Sequence, residues 1–228
     1  MNTQDLEARL RKSGSRMVLG GFRPPESPQA SWFGRVRLAR PDEEWPSHQG
    51  QPMLPLCQLN LAEAPLVPSS LGDLALITVF VSAACLPVDA ENGDGWQLRA
   101  YPSLEGLIEI DSPQHGHPIC PLPVRWEPME ADYPSREDVP LELPDDVADN
   151  TYDLFEHHPA SKIGGWPYLV QSEIFWASHN RHPANPEYVF QIASEPKAHW
   201  QWGDGGIGYF GRGTGDARTV WMLSWQCY

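Results

Sequence analysis

The chain has 228 residues, 41% of them hydrophobic, enough for one large domain or two small ones sharing a core. A formal charge of −14 argues against nucleic acid or anionic membrane as a partner and favours a basic protein, met at an accelerated, salt-sensitive rate. Twenty-four prolines, about twice the average share, exclude long helices as the main building unit and favour strands joined by turns.

Taken in order, "MNTQDLEARLRKSGSR" predicts a short helix. Its acids come first and its bases last, Leu6 and Leu10 stand four apart, and Gly14 reads as the stop. It lacks the apolar core of a signal peptide. Residues 1–40 carry eight basic and three acidic side chains (+5), and the remaining 188 carry eight and 27 (−19). Residues 1–30 therefore read as a helix and arm, and residues 31–112 as a first β-rich half. Within that half, "LALITVFVSAACL" (Leu74–Leu86) is too short to cross a bilayer and predicts a buried strand. Residues 113–150 read as an acidic connector. Eight prolines in 113–144 restrict it to extended or turn geometry, with Trp126 and Tyr133 as anchors. Between Glu127 and Glu156 lie eleven acids and one base, Arg136. Residues 151–228 form a second β-rich half, and the whole is expected to make one compact unit.

"WGDGGIGYFGRGTGD" (Trp202–Asp216) holds Gly203, Gly205 and Gly208 in the spacing G-x-G-x-x-G. A dinucleotide site needs a helix after the third glycine. Here Tyr209, Phe210, Gly211, Arg212 and Gly213 cannot propagate one, and Asp204 would repel phosphate. Asp-Gly is a hairpin signal, so the glycines read as turns and flat strand positions.

The two halves share motifs. "SWFG" (Ser31–Gly34) recurs as "SKIG" (Ser161–Gly164), and "CQLNLAEA" (Cys57–Ala64) as "FQIASEPKA" (Phe190–Ala198). Asp73 corresponds to Asp204, each ahead of a strand. Near-constant shifts suggest an internal duplication.

"SKIGGWPYLVQ", "FQIAS", "WGDGGIGYF" and "LSWQCY" in the second half, with "SWFG", "EEWP" and "LCQLNLAEAP" in the first, resemble the YwqG-like family of bacterial proteins over residues 30–228. The first half departs from the pattern, since Trp32 and Arg35 stand where Lys and Gly are usual. The resemblance implies an α+β fold of two similar, mainly antiparallel halves with a few short helices. It carries over no catalytic residues. Some members are encoded beside secreted toxins, which implies an immunity role.

No nucleophile elbow, phosphate-binding loop or H-E-x-x-H motif occurs. His115, His117 and Cys120 in "HGHPIC" are soft ligands lacking a fourth at a diagnostic spacing, so exposed loop histidines are the simpler reading. His179 and His182 fall in a segment broken by Pro183 and Pro186, and neighbours His157 and His158 would not readily share a metal. No metal and no cofactor are expected. Asp204 with Glu195 or Asp216 offers an acid–base pair, but such carboxylates more often cap turns. The dispersed cysteines Cys57, Cys85, Cys120 and Cys227 fit reduced thiols in a cytoplasm. Ten tryptophans, scattered through the chain, are expected to pack a β core.

The expected function is a non-enzymatic cytoplasmic binding protein that occludes a basic toxin, a nuclease-like effector. Glu142, Asp145, Asp146, Asp149, Asp153 and Glu156 would mimic phosphate in its cleft. The alternative is a small-ligand binder or hydrolase using a groove between the halves lined by Trp166, Tyr168, Trp202 and Asp204.

Overall fold

The computed structural model describes residues 3–113, 118–134, 157–176 and 182–228. Helix α1 (Thr3–Leu10) buries Leu6 and Leu10 and complements its dipole with Asp5 and Arg9. Gly14 does not stop it. Strand β1 (Lys12–Leu19) has already begun, so the expected helix and arm contains a strand of the main sheet. Gly14 instead permits close approach of two backbones, because a Cβ there would collide with the Ile163 carbonyl.

The remaining strands are β2 (Trp32–Phe33), β3 (Leu38–Ala39), β4 (Ser47–His48), β5 (Gln51–Pro52), β6 (Leu54–Asn60), β7 (Leu76–Val81) and β8 (Trp96–Tyr101). They continue as β9 (Ile108–Glu109), β10 (Leu122–Asp132), β11 (Lys162–Gly164), β12 (Glu187–Ala193), β13 (Ile207–Arg212) and β14 (Trp221–Gln226). Ten form one antiparallel sheet in the order β14-β13-β12-β11-β1-β10-β2-β6-β7-β8, while β3 pairs with β9 and β4 with β5.

The expected α+β class is overturned. Among the described residues fourteen strands stand against one α-helix and short 3-10 turns, and the long sheet curls into a nearly closed barrel, an all-β architecture. The curl is visible in side chains from the two ends of the strand order. Trp96 of β8 packs edge-on to Phe210 of β13 at 6.2 Å, and Phe210 stacks on Phe190 at 4.3 Å. Trp96, Trp126, Trp200, Trp202 and Trp221 all join the main core cluster. That decides for packing and against an exposed stacking platform.

The segment expected as a solvated connector supplies the sheet's longest strand. Val124, Trp126, Met129 and Asp132 of β10 are buried, and β10 pairs with β1 on one side and β2 on the other. Pro128 lies one register step from a bulge in the β1–β10 ladder, where regular pairing is already interrupted. The leucine- and valine-rich stretch forms β7, buried throughout as expected.

Two meanders, β2-β6-β7-β8 and β11-β12-β13-β14, flank the β1–β10 pair, and each hangs a polar strap on buried glutamine. The Gln58 amide accepts from Arg37 and Leu38 N–H and donates to the Pro28 and Ala30 carbonyls. The Gln191 amide accepts from Tyr168 N–H and donates to the Ala160 carbonyl. Gln226 accepts from Val170 and Gln171 N–H and donates to the Ser172 carbonyl. These bonds satisfy backbone groups that leave the ladder. The meanders match in form, and the expected duplication is not shown by that match.

Candidate functional site

The acidic run begins on β10, and its root is a buried ion pair. Lys162 of β11 donates to Asp132 Oδ2 at 2.7 Å, with side-chain exposures of 1% and 0%. Trp166 N–H donates to the same oxygen at 2.7 Å, while Asp132 Oδ1 has no hydrogen-bond partner. Gly165 is obligatory, since a Cβ there would collide with this carboxylate. Burial pushes the Lys162 ammonium below its ordinary value, opposed by the Asp132 charge. Tyr188, raised by burial and then by Asp132, stays protonated and donates to Gln191 Oε1 at 3.3 Å.

Around this pair the chain leaves and re-enters the described scaffold side by side. His157 Nδ1–H donates to the Tyr133 carbonyl and His158 Nε2–H to the Ala131 carbonyl, both at 3.2 Å. Tyr133 O–H donates to Glu7 Oε1 at 3.1 Å, tying the exit to α1. The 22 residues from 135 to 156 between these anchors contain eight acids and one base. Glu142, Asp145, Asp146, Asp149, Asp153 and Glu156 all belong to that stretch and lie outside the described residues.

Four of the leading arginines have partners among the described residues. Arg16 and Arg125 pair with Glu127, holding its carboxyl below the usual range, Arg16 contributing most. Arg37 pairs with Glu109 and Arg23 with Glu26, while Arg11 donates to the Glu130 carbonyl.

The four residues expected to line a groove stand in separate settings among the described residues. Trp202 is fully buried against Trp200, and Asp204 is exposed on the turn before β13. Trp166 donates its indole N–H to the Leu10 carbonyl and carries the Lys12 ammonium over its ring at 3.5 Å. Tyr168 sits on the strap held by Gln191.

A groove does exist at the seam where β8 and β14, the ends of the strand order, face each other. One cavity of about 320 Å³ there is lined by Leu98, Ala100, Trp221, Asp73, Arg212 and Arg218, and an adjoining one of about 310 Å³ by Ser70, Glu187, Thr214 and the same two arginines. Arg212 stands between them as a latch. It is bidentate on Asp73 at 2.6 and 2.8 Å, donates to the Ser70 and Arg218 carbonyls, and lies 5.4 Å from the Trp221 ring. Hydrogen bonds from Arg212 hold the Asp73 carboxyl down to about 2. With its donors so committed, Arg212 fastens the seam and is not available to grip an anion.

Other carboxylates act as caps. Glu195 accepts from Lys197 N–H at 3.0 Å at the start of a single 3-10 turn, as the turn reading expects. Gly203 and Gly205 take positive φ in the turn, and Gly208 lies flat under the Trp202 indole on β13. His115, His117 and His179 lie outside the described residues; His182 Nδ1 accepts from Ala184 N–H at 3.1 Å. Among the described residues no cluster of three metal-ligating side chains occurs, and no helix is long and apolar enough to cross a membrane. The four cysteines are unpaired.

Sequence reasoning missed Lys162 and Asp132 as a pair, although the departure of Trp32 from the usual lysine marked the position. Trp32 is buried with the Arg35 guanidinium over its ring. Asp73 was legible only as a counterpart of Asp204, yet the two do different things.

A nearly closed all-β barrel whose buried charges tie strands and straps together defines the class of this protein: a β scaffold. Residues 31–212 match the family described as a domain of unknown function, DUF1963, and the chain belongs to that family. Among curated proteins none matches it.

Proposed function

We propose that this protein is a cytoplasmic, non-catalytic binding protein of YwqG-like type that neutralises a basic toxin, a nuclease-like effector, by occluding its active site. One observation carries the reading: eight acids and one base lie between two residues fastened to each other on a braced β scaffold. A rigid root lowers the entropy lost on docking, and concentrated charge accelerates encounter with a cationic cleft. Of the leading arginines, Arg16, Arg23 and Arg37 pair with Glu127, Glu26 and Glu109, and Arg11 donates to the Glu130 carbonyl.

The test is co-expression with an effector domain encoded beside this chain. Protection is expected from the wild type. It should be lost when Glu142, Asp145, Asp146, Asp149, Asp153 and Glu156 become the corresponding amides, with an unchanged thermal transition. Full protection by that folded variant would refute the reading. The two seam cavities favour a second reading, a small-ligand binder or hydrolase at that groove. A metabolite screen by thermal shift tests it, because a specific ligand raises Tm by mass action.

A further inference from the structure

The seam continues along β14 past Trp221 and the Arg212 latch. There a cavity of about 260 Å³ opens between the loop joining β7 to β8 and strand β14. Met222 and Leu223 form an apolar floor, Phe175, Trp176 and His182 one wall, and the loop residues Asp89, Ala90 and Glu91 the other. The acidic wall is held in place from behind. Trp96 indole N–H donates to the Ala90 carbonyl at 2.9 Å, and Trp225 indole N–H to the Pro87 carbonyl at 2.6 Å. The Asn92 amide both donates to and accepts from the Leu98 backbone. Of the loop's three carboxylates, Asp94 lies 3.4 Å from His48 Nε2, whereas Asp89 and Glu91 have no ion-pair partner among the described residues.

Phe175 is 49% exposed, an aromatic ring left half in water at the rim of a cavity that also holds two carboxylates. That combination discriminates between ligands. An anion meets like charge, and a neutral apolar group desolvates carboxylates without pairing them. An ammonium or guanidinium on an apolar stem satisfies floor, rings and carboxylates together. The volume suits one long side chain and is too small for a helix or strand. The latch cavities offer no comparable chemistry, because Asp73 and Arg212 already neutralise each other.

We propose that this cavity receives a lysine or arginine side chain from a basic protein partner. The assignment rests on the partner class proposed above and supplies it with a defined anchor. To test it, the full chain is titrated with N-acetyl-arginine amide, N-acetyl-lysine amide and the neutral N-acetyl-norleucine amide. Tryptophan indole N–H signals are followed by NMR, with Trp176→Phe used to assign the one at the cavity. Both cationic amides are expected to saturate with dissociation constants on the order of millimolar and to move the Trp176 signal, while the norleucine amide does neither. Asp89→Asn with Glu91→Gln, two exposed loop positions, is expected to weaken binding about tenfold. Saturable binding of the norleucine amide at equal strength, unchanged affinity in the double variant, or no saturable binding overturns the proposal. Spermidine binding more than about tenfold tighter than either amide would assign the cavity to a free polyamine, and it also overturns the protein side chain as occupant. Neither the effector nor the acidic segment takes part in this titration. Its failure leaves the toxin reading standing, and failure of the co-expression test leaves this cavity standing.

Discussion

Replacing Lys162 with methionine removes one charge from the most deeply buried ion pair described, and the cost follows from what remains. Asp132, at 0% exposure, would keep the Trp166 N–H bond at 2.7 Å while its Oδ1 still has no partner. An uncompensated buried carboxylate costs about 3–5 kcal/mol. Asp132→Asn is expected to cost a similar amount, because the Lys162 ammonium would then face only a neutral amide oxygen. The double variant removes both charges and retains an acceptor for Trp166 N–H, so its loss should be about 1–2 kcal/mol, from imperfect packing alone. The coupling is therefore several kcal/mol, a large part of the ~5–15 kcal/mol stability of a typical domain. Urea denaturation followed by tryptophan fluorescence measures all four proteins, with the slope m checked for constancy. Additive losses in the double variant, or a Lys162→Met cost under about 1 kcal/mol, would refute the account of this pair as mutually dependent buried charges.

Two further outcomes follow from other named contacts. The Asp73 carboxyl lies below its ordinary 3.8, at about 2, so the stabilisation is present above 3.8 and is lost as pH falls through about 2. Because Asp73 is 47% exposed, the contribution is discounted to about 1 kcal/mol, and Asp73→Asn should flatten the stability–pH profile over that window while the wild type slopes. Gln226→Ala removes the acceptor for Val170 and Gln171 N–H and the donor to the Ser172 carbonyl. A loss of about 2–3 kcal/mol is expected, with faster hydrogen exchange at Val170 and Gln171 and unchanged exchange in β7, where a uniform change would contradict a local strap.

Much of the strand content was legible because it is written locally. The run from Leu76 to Val81 is apolar but for Thr78, and burial on both faces favours that pattern. Gly203 and Gly205 announce their turn through the Asp-Gly step, since only such residues accept positive φ readily. Gly14 was misread for the opposite reason. Its local context matches a helix stop, and the need for a glycine comes from Ile163, far along the chain. Pro123 and Pro128 likewise disguised β10, because prolines argue against a central strand unless pairing is interrupted there. Trp166, Tyr168, Trp202 and Asp204 were grouped by nearness in motif, but the turn before β13 sends Trp202 into the core and leaves Asp204 in water.

By itself the amino-acid order determined a strand-rich chain, short on helix, with its negative charge gathered late and its glycines placed for turns, all properties set within a few residues. Only the tertiary structure decided that the ends of the sheet meet, that Lys162 finds Asp132 and that Arg212 finds Asp73 across 139 positions. The physical reason is that these contacts depend on the curl and register of ten strands acting together.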